Sequence, residues 1–229
     1  MRPKHLIPGL ALALAVAPAA TAAKPPKPPN NPPAQGAATL TLDAKPAPIV
    51  FSSPTTLSGQ LSSKAAGVTV RLEQDTTRPY GDSYKPANLT TTTMGGGGYS
   101  FSVKPPVNTQ YRVSTQGGGS SVTSPAKLVL VRMLVGLRLS DSTPTRGSLV
   151  RFSGSVFPAH DGRTAVIQKR SSTGRFVTVD RTTLRDAGTA RSTYSRRVKV
   201  RSGVYRVKVV GDDDHINGIS RSRTITVGG

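Results

Sequence analysis

The residue types that catalysis needs are scarce in this chain of 229 residues. It contains three histidines, one glutamate and no cysteine. His160 or His215 could be combined with an aspartate and a serine in a hydrolytic triad, but no G-x-S-x-G sequence accompanies them to hold the serine on a sharp turn. Paired carboxylates for glycoside hydrolysis could come only from aspartates, and nothing marks a pair. The sequence therefore predicts a protein that is not an enzyme and has no cofactor.

The one dense group of carboxylates lies near the C-terminus, where Asp212, Asp213 and Asp214 precede His215. The predicted strand order puts this group in a loop at one end of the second of two domains, with Asp161 in a neighbouring loop at the same end. Carboxylate oxygens are the ligands that Ca²⁺ prefers. These four aspartates are therefore candidate calcium ligands facing the junction between the domains. In the alternative interpretation they are solvated turn residues that pair with nearby arginines.

Positive charge is concentrated in the second half of the chain. The formal net charge is +20, and residues 132–229 contain nineteen basic and seven acidic residues, against eight and four in residues 39–131. Strand alternation predicts that one sheet of the second domain has an outer face free of acidic residues. The basic residues predicted on that face are Arg138, Arg151, Arg197, Lys199 and Arg201.

Such a face could bind an anionic polymer, because clustered basic side chains release the counterions condensed on it. Outside a cell the candidates are wall polymers, anionic glycans or lipids, and nucleic acid. Specific binding of single-stranded nucleic acid uses exposed aromatic rings for stacking, and the chain has no tryptophan and few aromatic residues outside the predicted cores. In the alternative interpretation the arginines only solvate the β-surface and protect strand edges.

The elements that must position these residues occur twice. A shift of about 95 residues aligns Leu57-Ser58-Gly59 with Phe152-Ser153-Gly154, Tyr99 with Tyr194 and, with a slip of one residue, Tyr111-Arg112-Val113 with Tyr205-Arg206-Val207. A repeat this long is a whole domain, because solenoid repeats have roughly 20 to 50 residues. The sequence therefore predicts one domain over residues 39–131 and a second over 132–229, joined by a very short linker.

Both copies have short alternating runs of Val, Thr, Leu and Tyr between Gly, Pro, Ser and Asp, which is typical of all-β structure. In the first copy this predicts strands over 39–43, 55–61, 67–74, 88–94, 98–103, 109–116 and 123–131. In the second copy it predicts strands over 135–140, 148–156, 163–170, 176–184, 192–200, 204–210 and 219–227. Seven strands per copy indicate two tandem immunoglobulin-like β-sandwiches. Tyr111 and Tyr205, at the start of the sixth strands, are either tyrosine corners or plain core residues.

Several motifs resemble the bacterial immunoglobulin-like repeats of exported proteins from high-GC Gram-positive, actinobacterial-type bacteria. In the second copy they are Phe152-Ser153-Gly154-Ser155-Val156-Phe157-Pro158, Ala165-Val166-Ile167-Gln168 and Gly203-Val204-Tyr205-Arg206-Val207. The first copy resembles the repeats more loosely. The resemblance implies a sandwich fold and a role as a spacer, an adhesive module or an appendage to a catalytic domain.

The N-terminus predicts export. Residues 1–23 combine basic Arg2 and Lys4, an apolar run over 6–16 and small residues before the predicted cleavage site, as a secretory signal peptide does. The apolar run is too short to cross a bilayer. Residues 24–38 are rich in proline and predict an extended, disordered linker. The expected location is secreted or extracellular, with association to the cell wall as one option.

Two functions are consistent with these features. The first is a cysteine-free envelope protein whose tandem domains act as a spacer, an adhesive or a protein-interaction module. The second is a binding module that holds an anionic cell-surface polymer, whether wall polymer, glycan or nucleic acid, on the basic face of the second domain.

Overall fold

A computed structural model describes residues 38–117 and 120–229. The predicted signal peptide and all but the last residue of the predicted linker lie outside these residues. The described part of the chain is all-β, with twenty strands and no helix, so no helix in it could cross a membrane.

Ten strands belong to the first half of the chain and ten to the second. The first ten are β1 (Asp43–Lys45), β2 (Ile49–Val50), β3 (Thr55–Gln60), β4 (Thr69–Asp75), β5 (Lys85–Thr92), β6 (Gly98–Val103), β7 (Thr109–Gly117), β8 (Ser120–Thr123), β9 (Lys127–Val129) and β10 (Val131–Arg132). The others are β11 (Leu134–Val135), β12 (Arg138–Leu139), β13 (Leu149–Phe157), β14 (Thr164–Arg170), β15 (Phe176–Thr183), β16 (Arg185–Asp186), β17 (Ser192–Lys199), β18 (Gly203–Val209), β19 (Gly218–Ile219) and β20 (Arg223–Ile225).

Strand pairing gives each half the two sheets of an immunoglobulin-like sandwich. In the first half, β1, β3 and β6 form one sheet, and β5, β4 and β7 form the other, with β8 and β9 both paired to β7. In the second half, β11 and β12 pair with β13, which continues to β17 and β16, and the opposing sheet runs β15, β14, β18 with β19 and β20. The predicted fold class, two tandem immunoglobulin-like sandwiches, is confirmed.

The inner strands match the alternation closely, whereas the edge strands do not. The prediction for 98–103 coincides with β6, but the predicted first strand over 39–43 is wrong for most of its length. Leu40 forms only an isolated bridge to Leu61, and regular pairing begins at Asp43. Proline interrupts such edges because it lacks the N–H that a ladder needs. Pro46 and Pro48 separate β1 from β2, and Pro125 separates β8 from β9.

Each sandwich encloses its own hydrophobic core. The core of the first runs from Leu40 to Val131, and the core of the second from Met133 to Ile225. Apolar side chains alternate inward along both sheets, as in the buried Val70 and Leu72 of β4. Burial of this apolar surface is the main driving force for folding, since the chain has no disulfide to supplement it.

A repeated tyrosine, on β6 in the first sandwich and on β17 in the second, binds the backbone of the first edge segment, just before β1 and between β11 and β12. Tyr99 Oη donates a hydrogen bond to the Thr41 carbonyl, and Tyr194 Oη donates to the Gly136 carbonyl at 2.6 Å. Both tyrosines are buried. Burial raises the pKa of Tyr99 to about 12 and also raises that of Tyr194, so both hydroxyls remain neutral donors.

A repeated glycine, on β3 in the first sandwich and on β13 in the second, makes room for this contact. A Cβ on Gly59 would collide with the Thr41 carbonyl and with Tyr99 Oη, and a Cβ on Gly154 would collide with the Gly136 carbonyl. Glycine is required at both positions because the edge segments at Thr41 and Gly136 cross β3 and β13 in direct backbone contact. The aligned sequences Leu-Ser-Gly and Phe-Ser-Gly therefore have a packing origin.

Only one of the two predicted tyrosine corners forms. Tyr205 Oη donates to the Arg201 carbonyl at 2.8 Å and accepts from its N–H at 3.1 Å, four residues upstream. In the first sandwich the corresponding carbonyl, that of Val107, accepts a hydrogen bond from Thr109 Oγ1 at 2.7 Å. Tyr111 is therefore a buried core residue, as the alternative interpretation states.

A buried carboxylate organises the loop after β4. Asp75 is 1% exposed and accepts hydrogen bonds from the N–H groups of Thr77 at 2.9 Å, Gly81 at 2.7 Å and Ser83 at 3.3 Å. Burial alone would raise the pKa of Asp75, but these backbone donors outweigh it, and the pKa lies below its ordinary value of 3.8.

Gly59→Ala tests the strand crossing. We expect it to lower the free energy of unfolding by about 2–3 kcal/mol, because the new methyl group must displace backbone. Gly95→Ala is the matched control, since a Cβ there meets nothing within 4 Å and should change stability by less than about 0.5 kcal/mol. Urea denaturation of the full chain measures both. Equal stability of the two variants would contradict the crossing as described.

Asp75→Asn tests the buried carboxylate through pH. A lowered pKa in the folded state means that the carboxylate stabilises the fold above the unfolded pKa of about 3.9, and that this contribution is lost as the pH falls through the lower folded pKa. We expect the variant to be less stable than the natural chain at pH 7 and the difference to shrink as the pH falls below about 3.9. Thermal unfolding across this range provides the measurement. A difference that does not change with pH would rule out the carboxylate charge as its cause.

Candidate functional sites: the basic face and the domain junction

Four of the five predicted basic residues lie together on the outer face of the sheet formed by β12, β13 and β17. Arg151 lies directly opposite Arg197, and Arg138 lies opposite Ser153, two residues along the same face from Arg151. Lys199 follows Arg197 on that face. All four side chains are exposed. The alternation used in the prediction holds because the register from Leu149 to Val156 has no bulge.

The face carries only positive formal charge. None of the five basic residues takes part in an ion pair within the described residues. The juxtaposition of Arg151 and Arg197 is unfavourable by itself, since like charges directly opposite each other destabilise a sheet. The outward positions of β13 and β17 contain no carboxylate. They are Leu149, Arg151, Ser153, Ser155, Phe157, Thr193, Ser195, Arg197 and Lys199.

The fifth residue, Arg201, lies past the end of β17, where the chain turns into β18. It lines a cleft of about 800 Å³ together with Lys199 and Arg146. The hydrogen bonds to Tyr205 Oη hold its backbone in place. Strand alternation does not predict Arg146, because that residue lies in the loop between β12 and β13, where side chains follow no period.

Arg138 also borders a second basic cleft, of about 630 Å³, on the side of the sandwich where the first and last strands meet. The arginines that line it are Arg132, Arg138, Arg221 and Arg223. The exposed apolar side chains of Leu134 and Ile219 lie between them. These arginines belong to different sheets, so only the closing of the sandwich brings them together.

In the first sandwich, the two positions that match Arg138 and Arg223 are occupied by an ion pair. Asp43 lies opposite Ser58 as Arg138 lies opposite Ser153, and Lys127 lies opposite Tyr111 as Arg223 lies opposite Tyr205. In the first sandwich, Lys127 Nζ is 2.6 Å from Asp43 Oδ1. Both members of this pair are arginines in the second sandwich, so its charge there is uncompensated.

A second ion pair of the first sandwich, on the opposing sheet, has no counterpart in the second sandwich. In the first sandwich, Arg112 Nε is 2.6 Å from Glu73 Oε2. In the second, Arg206 Nε donates to the neutral Gln168 Oε1 at 2.9 Å. Its guanidinium stacks on Phe176, with Cζ 3.8 Å from the ring centroid. The contact geometry is kept while the negative charge is lost.

The junction of the two sandwiches is closed by Asn108 of the first. This buried residue uses its N–H to donate to the Asp214 carbonyl at 2.7 Å and its side-chain amide to donate to the Asp213 carbonyl at 2.9 Å. Its side-chain oxygen accepts from the Val131 N–H at 2.8 Å. One side chain thus joins the loop between β18 and β19 to the strand that links the domains.

Further contacts surround this one. Arg78 of the first sandwich pairs with Asp213 at 3.0 Å, and Ile216 N–H donates to the Val131 carbonyl at 2.9 Å. His215 Nε2 lies 2.7 Å from the Pro106 carbonyl. The prediction that the acidic loop faces the junction is confirmed.

A cluster of two histidines and one aspartate lies at the junction, and two of its members belong to this loop. The side chains of His160, from the loop between β13 and β14, and of Asp212 and His215 bring three possible metal-ligand atoms within 4.8 Å of one another. His160 Nε2 is 3.2 Å from Asp212 Oδ2, and His215 Nδ1 is 3.9 Å from Asp212 Oδ1. Burial lowers the pKa of His215, which favours its neutral form.

The four predicted calcium ligands are not gathered at one point. Only Asp212 enters the cluster, which is the one group of three such side chains found in residues 38–117 and 120–229. Asp161 accepts a hydrogen bond from Ser192 Oγ at 2.5 Å. Asp213 pairs with Arg78, and Asp214 is exposed. The sequence analysis considered both histidines only as members of a hydrolytic triad and did not include them among the metal ligands.

Comparison with known proteins adds little to this picture. No family model matches the sequence, and no curated protein matches it. One similar solved structure is a tetra-tandem repeat in the extending region of a large adhesion protein, with 18% identity and a TM-score of 0.38 over 84% of this chain and 50% of that one. Another is a red sea bream transglutaminase, with 11% identity and a TM-score of 0.45 over 83% and 31% of the two chains. The chain thus spans half or less of each, and the assignment of the fold rests on strand pairing.

Asn108→Ala tests how the junction is held. The substitution removes two side-chain hydrogen bonds and leaves the Val131 N–H and the Asp213 carbonyl without these partners. We expect the free energy of unfolding to fall by about 2–3 kcal/mol, and the distribution of distances between spin labels on the two sandwiches to broaden. Arg78→Ala, which breaks only an exposed ion pair, should cost less than about 1 kcal/mol. Equal effects of the two variants would contradict a junction held mainly by Asn108.

Proposed function

We propose that this chain is a non-enzymatic, exported interaction module of the cell envelope, and that its second sandwich attaches it to anionic surface polymers. The observation that carries the proposal is the difference between the two sandwiches at matching positions. Asp43 and Glu73 neutralise basic partners in the first sandwich, whereas Arg138 and Gln168 replace them in the second. The fold tolerates acidic residues there, so folding alone does not account for the excess of arginine.

The arrangement of the charges suits a flexible polymer rather than a small anion. The basic residues run from the cleft at Arg132 and Arg223 across the face of β13 and β17 to the cleft at Arg146 and Arg201. An extended surface of this kind makes many weak phosphate, sulfate or carboxylate contacts. Each contact releases counterions, so affinity should fall steeply as salt is added.

The exposed apolar side chains in the cleft at Arg132 add a secondary contact. Leu134 is 46% exposed and Ile219 37%, and their positions between arginines suit a polymer with apolar substituents. Stacking of bases on aromatic rings does not fit this face, because Phe157 is its only aromatic residue on β13 and β17 and is partly buried. Wall polymers and anionic glycans are therefore preferred to nucleic acid as ligands.

A spacer role is the second candidate function, and the junction favours it. The contacts of Asn108, the hydrogen bond from the Ile216 N–H to the Val131 carbonyl and the bridge from Arg132 to Ile216 tie the sandwiches together. A stiff pair of domains would hold the basic face at a set distance from the N-terminal segment. The two functions are compatible, because attachment and spacing use different surfaces.

Triple charge reversal, with Arg197, Lys199 and Arg201 each replaced by glutamate, tests the attachment. We expect the full chain to lose most of its affinity for wall teichoic acid and for heparin, and the slope of log affinity against log salt to become shallower by about 2–3, one for each lost phosphate contact. Stability should change little, because all three side chains are exposed.

The matched control reverses three exposed arginines of the opposing sheet and its hairpin loop, Arg170, Arg175 and Arg181, and so changes the net charge by the same amount. This variant should keep most of the affinity. Equal losses in the two variants would show that net charge alone attracts the polymer. Binding that does not respond to salt would exclude the electrostatic mechanism and leave the spacer role.

A further inference from the structure

We propose that His160, Asp212 and His215 form a binding site for a divalent transition-metal ion, with Zn²⁺ as the representative ion, at the junction of the two sandwiches. The site does not depend on the basic face. Its three candidate ligand atoms lie within 4.8 Å of one another. They come from two loops of the second sandwich, and a backbone carbonyl of the first sandwich orients one of them.

The orientation of the His160 ring is set by its other nitrogen. His160 Nδ1 lies 2.9 Å from the Pro158 carbonyl, which can only accept, so Nδ1 carries the proton. In the neutral ring the lone pair is then on Nε2, and Nε2 faces Asp212 Oδ2 at 3.2 Å. Metal-ligating histidines are usually fixed by such a bond from the second nitrogen to a carbonyl or carboxylate.

His215 shows the same arrangement with its nitrogens exchanged. Nε2 donates to the Pro106 carbonyl at 2.7 Å, which leaves the lone pair of the neutral ring on Nδ1. The side chain is 4% exposed, and Nδ1 is a buried atom that has no hydrogen-bond partner among residues 38–117 and 120–229. Buried polar atoms rarely lack a partner, and a bound ion is one of the accepted explanations. This nitrogen points towards Asp212, 3.9 Å from Oδ1.

Backbone hydrogen bonds also fix the orientation of the Asp212 carboxylate. Its Oδ1 accepts hydrogen bonds from the N–H groups of His215 at 2.8 Å and Asp214 at 3.1 Å. Ligand atoms about 2.0–2.1 Å from a tetrahedral zinc ion are about 3.3 Å apart. The distance from His160 Nε2 to Asp212 Oδ2 already fits this value. His215 Nδ1 lies 3.9 Å from the other carboxylate oxygen, Oδ1, so side chains that now lie within 4.8 Å of one another must move closer together to share one ion.

The ligand set favours a transition metal over calcium. Imidazole nitrogen suits Zn²⁺, Cu²⁺ and Ni²⁺, whereas Ca²⁺ takes six to eight oxygen ligands. Three protein ligands leave one tetrahedral position for water. The other aspartates nearby are engaged elsewhere, since Asp161 binds Ser192 and Asp213 binds Arg78.

The competing explanation is an ion-paired cluster without metal. Arg163 Nη2 lies 3.4 Å from Asp212 Oδ2, so the positive charge of its guanidinium balances the charge of that carboxylate. The Arg163 side chain is 45% exposed, so it can move into solvent when an ion binds. A metal here would join the two loops that carry His160 and His215. Because His215 is also hydrogen-bonded to the Pro106 carbonyl of the first sandwich, the ion would stabilise the junction as well.

Two substitutions remove one ligand atom each while keeping the hydrogen bond that orients it. His160→Asn preserves a donor for the Pro158 carbonyl and deletes Nε2, and His215→Gln preserves a donor for the Pro106 carbonyl and deletes Nδ1. Asp214→Asn is the matched control, because this exposed carboxylate neighbours the cluster without entering it.

Isothermal titration of the untagged, chelator-treated full chain with Zn²⁺ measures the affinity. We expect one ion per chain, at least a tenfold loss of affinity in each histidine variant, and a change of less than about twofold in the control. Co²⁺ should give the visible absorption of a tetrahedral complex in the natural chain and lose it in both histidine variants. Binding of Ca²⁺ that depends on Asp214, or Zn²⁺ binding that both histidine variants retain, would overturn the proposal.

Thermal unfolding separates ligand loss from loss of structure. For each variant the relevant quantity is the difference between Tm with Zn²⁺ and Tm with chelator, so a destabilised variant still gives an answer. The natural chain and Asp214→Asn should gain several degrees with Zn²⁺, and the histidine variants should gain little. An absence of any Zn²⁺-dependent gain in the natural chain would show that the cluster is only an ion pair.

Discussion

The hydrogen bonds of Asn108 are the contacts on which the functional geometry of this protein depends. This side chain satisfies the Val131 N–H, and together with its own backbone it binds two carbonyls of the loop between β18 and β19. Such groups are costly to bury without partners. The loop is therefore fixed in one conformation, and that conformation carries Asp212 and His215 to His160.

The strand pattern of this protein could be predicted best where the strand pairing is regular. From Leu149 to Val156 the register of β13 against β17 contains no bulge, so each side chain stays on the face that alternation assigns to it. This is why Arg151 and Arg197 were correctly placed on one surface. The edge strands were less predictable, because prolines such as Pro46 and Pro125 break them into short segments whose pairing depends on tertiary contacts.

The convergence of side chains from different loops was beyond the sequence pattern. Arg146 meets Lys199 and Arg201 only because the loop after β12 folds towards the end of β17. In the same way, His160 and His215 are more than fifty residues apart in the chain, and no local period relates them. The sequence did place the acidic loop at the junction, since strand order alone determines which end of a sandwich a loop occupies. It did not show that Asp161 binds Ser192 instead of joining the cluster.

The two sandwiches separate the residues that make the fold from the residues that differ in charge. Gly59 and Gly154, and Tyr99 and Tyr194, occupy matching positions and make the same contacts, because the strand crossing allows no alternative.

The outward positions obey no such constraint. A surface arginine contributes little to stability and costs like-charge repulsion when others surround it. Arg138 and Arg223 stand where the first sandwich has the ion pair of Asp43 and Lys127, so the second sandwich gives up a favourable interaction that its fold could accommodate. Such a loss is expected where a ligand supplies the missing negative charge. The residues of the basic surface are therefore different from the residues that hold the framework together.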